Sequence, residues 1–136
     1  MRQLPGRPER EPRVWPLLAW TGLILLAVVP WATFQNHSHW ARVQWIPFVT
    51  PPVKLRDIVA NVLLYCPFGW WAWRGLRSST VPRIVWLAVA LSVATEFSQV
   101  YSHGRFPSTT DLTCNVLGAW LGARAAARTD PRTVPN

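Results

Sequence analysis

Residues 15–34 read WPLLAWTGLILLAVVPWATF, a stretch without one formal charge. The uncharged run is longer still, 28 residues from Val14 to Ala41. A helix needs about 20 apolar residues to cross a hydrocarbon core. A soluble chain of 136 residues has no obvious place to bury such a segment. A secretory leader would share the basic start formed by Arg2, Arg7, Arg10 and Arg13. Its apolar region is shorter, however, and ends at a small-residue cleavage site. This run lacks that exit and reads as an uncleaved span over 14–34, with Pro30 kinking its far end.

The rest of the chain is read outward from that span. Half of the residues are hydrophobic and ten are Trp, while Arg-rich ends hold mean hydropathy to +0.11. Fourteen cations against six acids give a net charge of +8, which raises the question of nucleic acid. The cations fall in clumps between uncharged runs instead of interleaving with aromatics on one face, so nucleic-acid binding is excluded. Residues 1–13 read as a disordered basic tail, 14–127 as one transmembrane domain, and 128–136 as a polar tail. Further spans are expected at 57–73, 82–101 and 111–127, with C-P-F-G (66–69) distorting the middle of the second. Residues 35–56 carry Pro47, Pro51 and Pro52 and read as a loop whose aromatics suit a membrane interface.

Charge placement sets the orientation. With the N-terminus inside, the inner side holds Arg2, Arg7, Arg10, Arg13, Arg74, Arg77, Arg83, Arg124, Arg128 and Arg132. The outer side holds Arg42, Lys54, Arg56 and Arg105, which follows the positive-inside rule. The expected fold is an all-α integral membrane four-helix bundle in the cell membrane, multi-pass, with both termini cytoplasmic. Cys66 and Cys114 differ in depth by about 9 Å if their helices run in parallel, too far for a bridge. They read as small packing residues.

A phrase occurs twice: D-I-V-A-N-V-L at 57–63 and D-L-T-C-N-V-L-G at 111–118. Residues four apart share a helix face, so Asp57 neighbours Asn61 and Asp111 neighbours Asn115. A second echo, Q-x-x-S-H, occurs at 35–39 and 99–103. Both point to two helical hairpins related by a parallel repeat. The acids Asp57, Glu96 and Asp111 then lie near the outer surface, where a carboxylate costs less than at the bilayer centre. Arg105 is the expected partner of those carboxylates. Asn61 and Asn115 have a second reading as polar glue between helices, and Gly118 and Gly122 form a G-x-x-x-G packing face. His37, His39 and His103 lack H-x-x-x-H spacing and read as loop histidines, so neither metal nor cofactor is expected.

The segment 57–122 resembles the VanZ-like family of small bacterial membrane proteins. The resemblance rests on N-V-L-L-Y-C-P-F-G (61–69), E-F-S-Q (96–99) and the block from Arg105 through D-L-T-C-N-V-L-G-A-W-L-G (111–122). It places Asp57, Asn61, Glu96, Gln99, Arg105, Asp111 and Asn115 at the family's polar positions. It implies an association with resistance to the glycopeptide teicoplanin, the property of the family's named member. Ser108 and Thr110 stand where many members carry further acids.

Three functions are weighed. The first is a non-catalytic envelope protein whose outward polar pocket, lined by those seven residues, binds a lipid head group, a cell-wall precursor or a lipoglycopeptide. The second is a small transporter or flippase acting as a homo-oligomer. The third is an enzyme acting on an envelope lipid, disfavoured because Ser102 and His103 are adjacent and would not stack on a helix. Membrane lipids are the partners common to all three.

Overall fold

Pro16 in the first turn and Pro30 beyond the last set the limits of α1, Trp15–Val28. A proline at a helix start loses no hydrogen bond, whereas the residue before a proline is driven out of the helical region. Val29 is accordingly extended, and α1 ends six residues short of the expected span end at 34. A 3-10 turn at Trp40–Arg42 interrupts the following loop. Helix α2 is Leu55–Gly75, α3 is Val81–Val100 and α4 is Thr109–Arg128. The computed structural model describes residues 13–49, 53–76 and 78–130, and among these there is no β-strand. The expected tails, 1–13 and 128–136, together with Pro51, Pro52 and Arg77, lie largely or wholly outside the described residues.

The distortion expected at C-P-F-G does not divide α2, which runs through Pro67 as one helix. A proline at that position costs one backbone hydrogen bond. Helix α3 starts on Thr80, whose side chain accepts the Arg83 N–H at 3.4 Å. Helix α4 starts on Ser108, whose Oγ accepts the Thr110 N–H at 3.1 Å. Hydroxyl residues are favoured at both places because a free N–H at a helix start needs an acceptor.

The most extensive helix pair is α2 against α4. Gly118 lies against Val62 and Gly122 against Cys66, so both helices advance together and run parallel. A Cβ on Gly69, Gly118 or Gly122 would overlap backbone atoms of the facing helix. The G-x-x-x-G sequence is therefore a contact surface in which backbone meets backbone. At one end of the bundle, the Trp73 indole donates to Asp130 Oδ2 at 3.0 Å and Arg74 to Thr129 Oγ1 at 3.2 Å. Gly75 faces the backbone of Arg13 at that same end. The segments beside both chain ends and the α2–α3 turn thus gather together, and the two longer loops occupy the opposite end.

The interior mixes apolar side chains such as Ile24, Tyr65 and Ile84 with polar ones, and large apolar side chains stand on the surface. Ser92, Thr95, Gln99 and Asn115 are buried, while Leu26, Leu55 and Trp86 are 70%, 73% and 72% exposed. A water-soluble bundle turns most such large apolar side chains inward. Helix α3 is the one described helix long and apolar enough to cross a membrane, and α1 is apolar but shorter.

Candidate functional site

Both repeated phrases open a helix. Asp57 lies in the first turn of α2 and Asp111 in the first turn of α4, where the helix dipole favours an acid. Since α2 and α4 are parallel, the two acids stand at the same end. Asp111 is half-buried, with the Asn61 amide beside it and the charges of Asp57 and Arg105 within electrostatic reach. Asp57 is exposed and pairs with its neighbour Arg56 at 3.3 Å.

Glu96 arrives from the last turns of α3 and accepts the Ser108 N–H at 2.7 Å. This charge-assisted bond ties the end of α3 to the start of α4. The charges of Asp111 and Arg105 lie within electrostatic reach of Glu96. Asp57, Asn61, Glu96, Arg105 and Asp111 are thereby brought into one polar constellation.

Arg105 does not pair with a carboxylate as expected. Among the described residues the contact ion pair is Arg56 with Asp57, and the Arg105 guanidinium donates to the Ala27 carbonyl at 3.5 Å. Gln99 donates to the Val28 carbonyl at 3.5 Å, and the Trp31 indole to the Leu25 carbonyl at 3.0 Å. The physical reason is the early end of α1. A helix leaves its last carbonyls without helical donors, and Gln99 and Arg105 supply those of Val28 and Ala27, while Trp31 adds a second donor to Leu25, which also accepts the Val29 N–H at 3.1 Å. A shallow groove of about 360 Å³ beside this end is lined by Pro30, Trp31, Ala32, Thr33, Gly104 and Arg105.

Asn115 departs from the constellation. It is 2% exposed and donates to Ser92 Oγ at 2.9 Å, binding α4 to α3. Its Oδ1 is buried without a partner. The Tyr65 hydroxyl lies beside Ser92 and Thr95, completing a buried polar patch. The patch escapes sequence reading because Ser92 and Thr95 sit singly in an apolar run.

The loops bring together residues that the sequence keeps apart. Phe34 and Ser102 form an antiparallel bridge, and Gln44 and Ser108 a parallel one. Gln35 N–H donates to the Tyr101 carbonyl at 2.8 Å, and His39 N–H to the Val100 carbonyl at 2.9 Å. The His39 and His103 Nε2 atoms consequently stand 3.2 Å apart. His37 stacks on His39 with ring centroids 4.6 Å apart. Desolvation, then the charge of Arg42 and the rings of His103 and His37, hold His39 below the ordinary histidine range. All three histidines lie in loops, as expected, and the pairing of those loops brings their rings together. The available signal was the Q-x-x-S-H echo, whose two histidines are the 3.2 Å pair.

An all-helical bundle with polar groups among its buried residues, large apolar side chains on its surface and one helix long and apolar enough to cross a membrane fits a membrane protein. The chain belongs to the VanZ/LLP1 family, whose model matches residues 14–128. No curated protein and no solved structure matches it.

Proposed function

We propose that this VanZ-like chain is a multi-pass, non-catalytic protein of the cell envelope that uses its outward polar constellation to bind an envelope ligand. The ligand class is a lipid head group, a cell-wall precursor or a lipoglycopeptide, and the expected phenotype is altered tolerance to teicoplanin. One observation carries the reading: Asp57, Asn61, Glu96, Arg105 and Asp111 share the loop end of an otherwise apolar-sided bundle. Ionisable groups in such a place are costly and commonly functional. Their mixed charge suits a zwitterionic or hydrogen-bonding head group. Among the described residues, no Ser, Thr or Cys side chain is hydrogen-bonded to a histidine ring or a carboxylate, which favours binding over nucleophilic catalysis.

The parallel, adjacent placement of the two D-x-x-x-N helices favours one second reading, a small transporter working as an oligomer, since inward and outward access is commonly built on internal repeats. The test begins with Asp57→Asn and Asp111→Asn, made singly and expressed in a teicoplanin-sensitive host. Loss of a first-turn acid costs about 0.3–1 kcal/mol, so both variants should accumulate in the membrane. Normal accumulation with lost tolerance is the expected result. Failure of both variants to accumulate would assign the acids to folding and overturn the site. A wild-type chain that gives no tolerance would sever the drug link.

A further inference from the structure

We propose that His37, His39 and His103 form a three-imidazole site for a divalent transition-metal ion of the zinc class, shared between the α1–α2 and α3–α4 loops. Each ring offers one ligand nitrogen, and the three nitrogens lie within 4.8 Å of one another. Three nitrogens placed 2.0–2.1 Å from a tetrahedral ion stand about 3.3 Å apart. The His39–His103 pair, at 3.2 Å, already has that separation. His37 is exposed and can swing inward by the remaining distance without opening the packed interior.

The rings are not held together by one another alone. The His39 N–H bond to Val100, the Gln35 N–H bond to Tyr101 and the Phe34–Ser102 bridge fix the two loops through backbone. The Thr33 and Ser102 hydroxyls add a bond at 2.8 Å, and Arg42 donates to the His103 carbonyl at 3.1 Å. Two of the three ligands, His39 and His103, are therefore positioned before any ion arrives, which lowers the ordering cost of binding.

The donor set selects the class of ion. Magnesium and calcium require oxygen ligands, and this cluster presents imidazole alone. Imidazole nitrogen suits zinc, copper and nickel. Binding is a ligand exchange without redox change. The N–H···N bond between His39 and His103 opens, and the donor ring takes its other tautomer. Both Nε2 lone pairs then face the ion, and no proton has to leave. Three protein ligands leave a fourth position for water or an anionic oxygen. Arg42, placed beside the cluster, opposes the charge of the ion and moderates its affinity.

The experiment uses the full chain in detergent micelles, freed of any affinity tag, stripped with chelator and titrated with zinc chloride alone by calorimetry. One ion per chain is expected. His39→Gln and His103→Gln should each weaken binding at least about tenfold, as expected for loss of a direct ligand. At equal zinc concentration the melting temperature should rise more for the wild type than for either variant, because the ion joins two loops. X-ray absorption of the wild-type complex should show three imidazoles, a readout that requires no variant to fold. Absence of uptake, uptake unchanged in the His37/His39/His103 triple Gln variant, or a sulfur-containing ligand sphere would each overturn the site. None of these readouts depends on teicoplanin tolerance.

Discussion

Replacing Gly122 with alanine tests the packing on which the whole site is mounted. The added Cβ would sit 2.8 Å from the Cys66 carbonyl carbon and 2.9 Å from the Trp70 nitrogen, with the Cys66 oxygen closer still. Ordinary contact at a Cβ begins near 3.4 Å, and the obstructing atoms are backbone, so neither can rotate aside. Helix α4 must move away from α2, and the neighbouring contacts at Gly118 and Gly69 loosen with it. Overpacking of this kind costs about 1–3 kcal/mol, and rigid neighbours place it near the upper end. Alanine returns about 1 kcal/mol in helix propensity. The net loss is about 2 kcal/mol, or roughly 30-fold in the ratio of folded to unfolded protein. Gly22→Ala supplies the opposite case, because a Cβ there meets nothing within 4 Å. It should match or exceed the wild type. The assay is unfolding of detergent-solubilised protein against increasing SDS, followed by tryptophan fluorescence. A Gly122→Ala midpoint equal to or above that of the wild type would refute the close α2–α4 contact.

Two further substitutions probe the polar groups. Glu96→Ala should lower the unfolding free energy in the same assay by about 1–3 kcal/mol, since the Ser108 N–H loses a charged acceptor; Glu96→Gln, which retains a carbonyl acceptor, should recover part of it, and equal loss in both would assign Glu96 another role. For the buried amide, a double-mutant cycle of Asn115→Ala with Ser92→Ala should return a coupling of about 0.6–1.7 kcal/mol, and a coupling of zero would remove their hydrogen bond as a tie between α4 and α3.

The four helices were legible because each is built around an uncharged run, although α2 follows Lys54 without a side-chain cap and the Thr80 and Ser108 caps of α3 and α4 show only in the structure. The end of α1 was misplaced because hydropathy continues through Trp31 and Phe34, whereas the backbone responds to Pro30. The repeated D-x-x-x-N phrase located the acids correctly at two helix starts, but it could not separate Asn61, which faces Asp111, from Asn115, which turns to Ser92. Gln99 was visible as a polar residue at the end of an apolar span and Arg105 as the cation of the loop that follows. Their engagement with α1 carbonyls was not visible, since it depends on a helix end many residues away. The histidine cluster was hidden for the same reason: it is made by hydrogen bonds between two loops.

The early end of α1 bears on the surrounding bilayer. At 1.5 Å per residue, its 14 residues span about 21 Å, against about 30 Å for the 20 residues of α3. On the membrane reading proposed above, lipids on the α1 flank meet a wall too short for a hydrocarbon core of about 30 Å. Such mismatch is relieved by local thinning of the bilayer. The thinned flank adjoins the groove lined by Thr33, Gly104 and Arg105. A head group drawn down on that side would reach the polar end of the bundle laterally, from within its own leaflet, without first leaving the membrane.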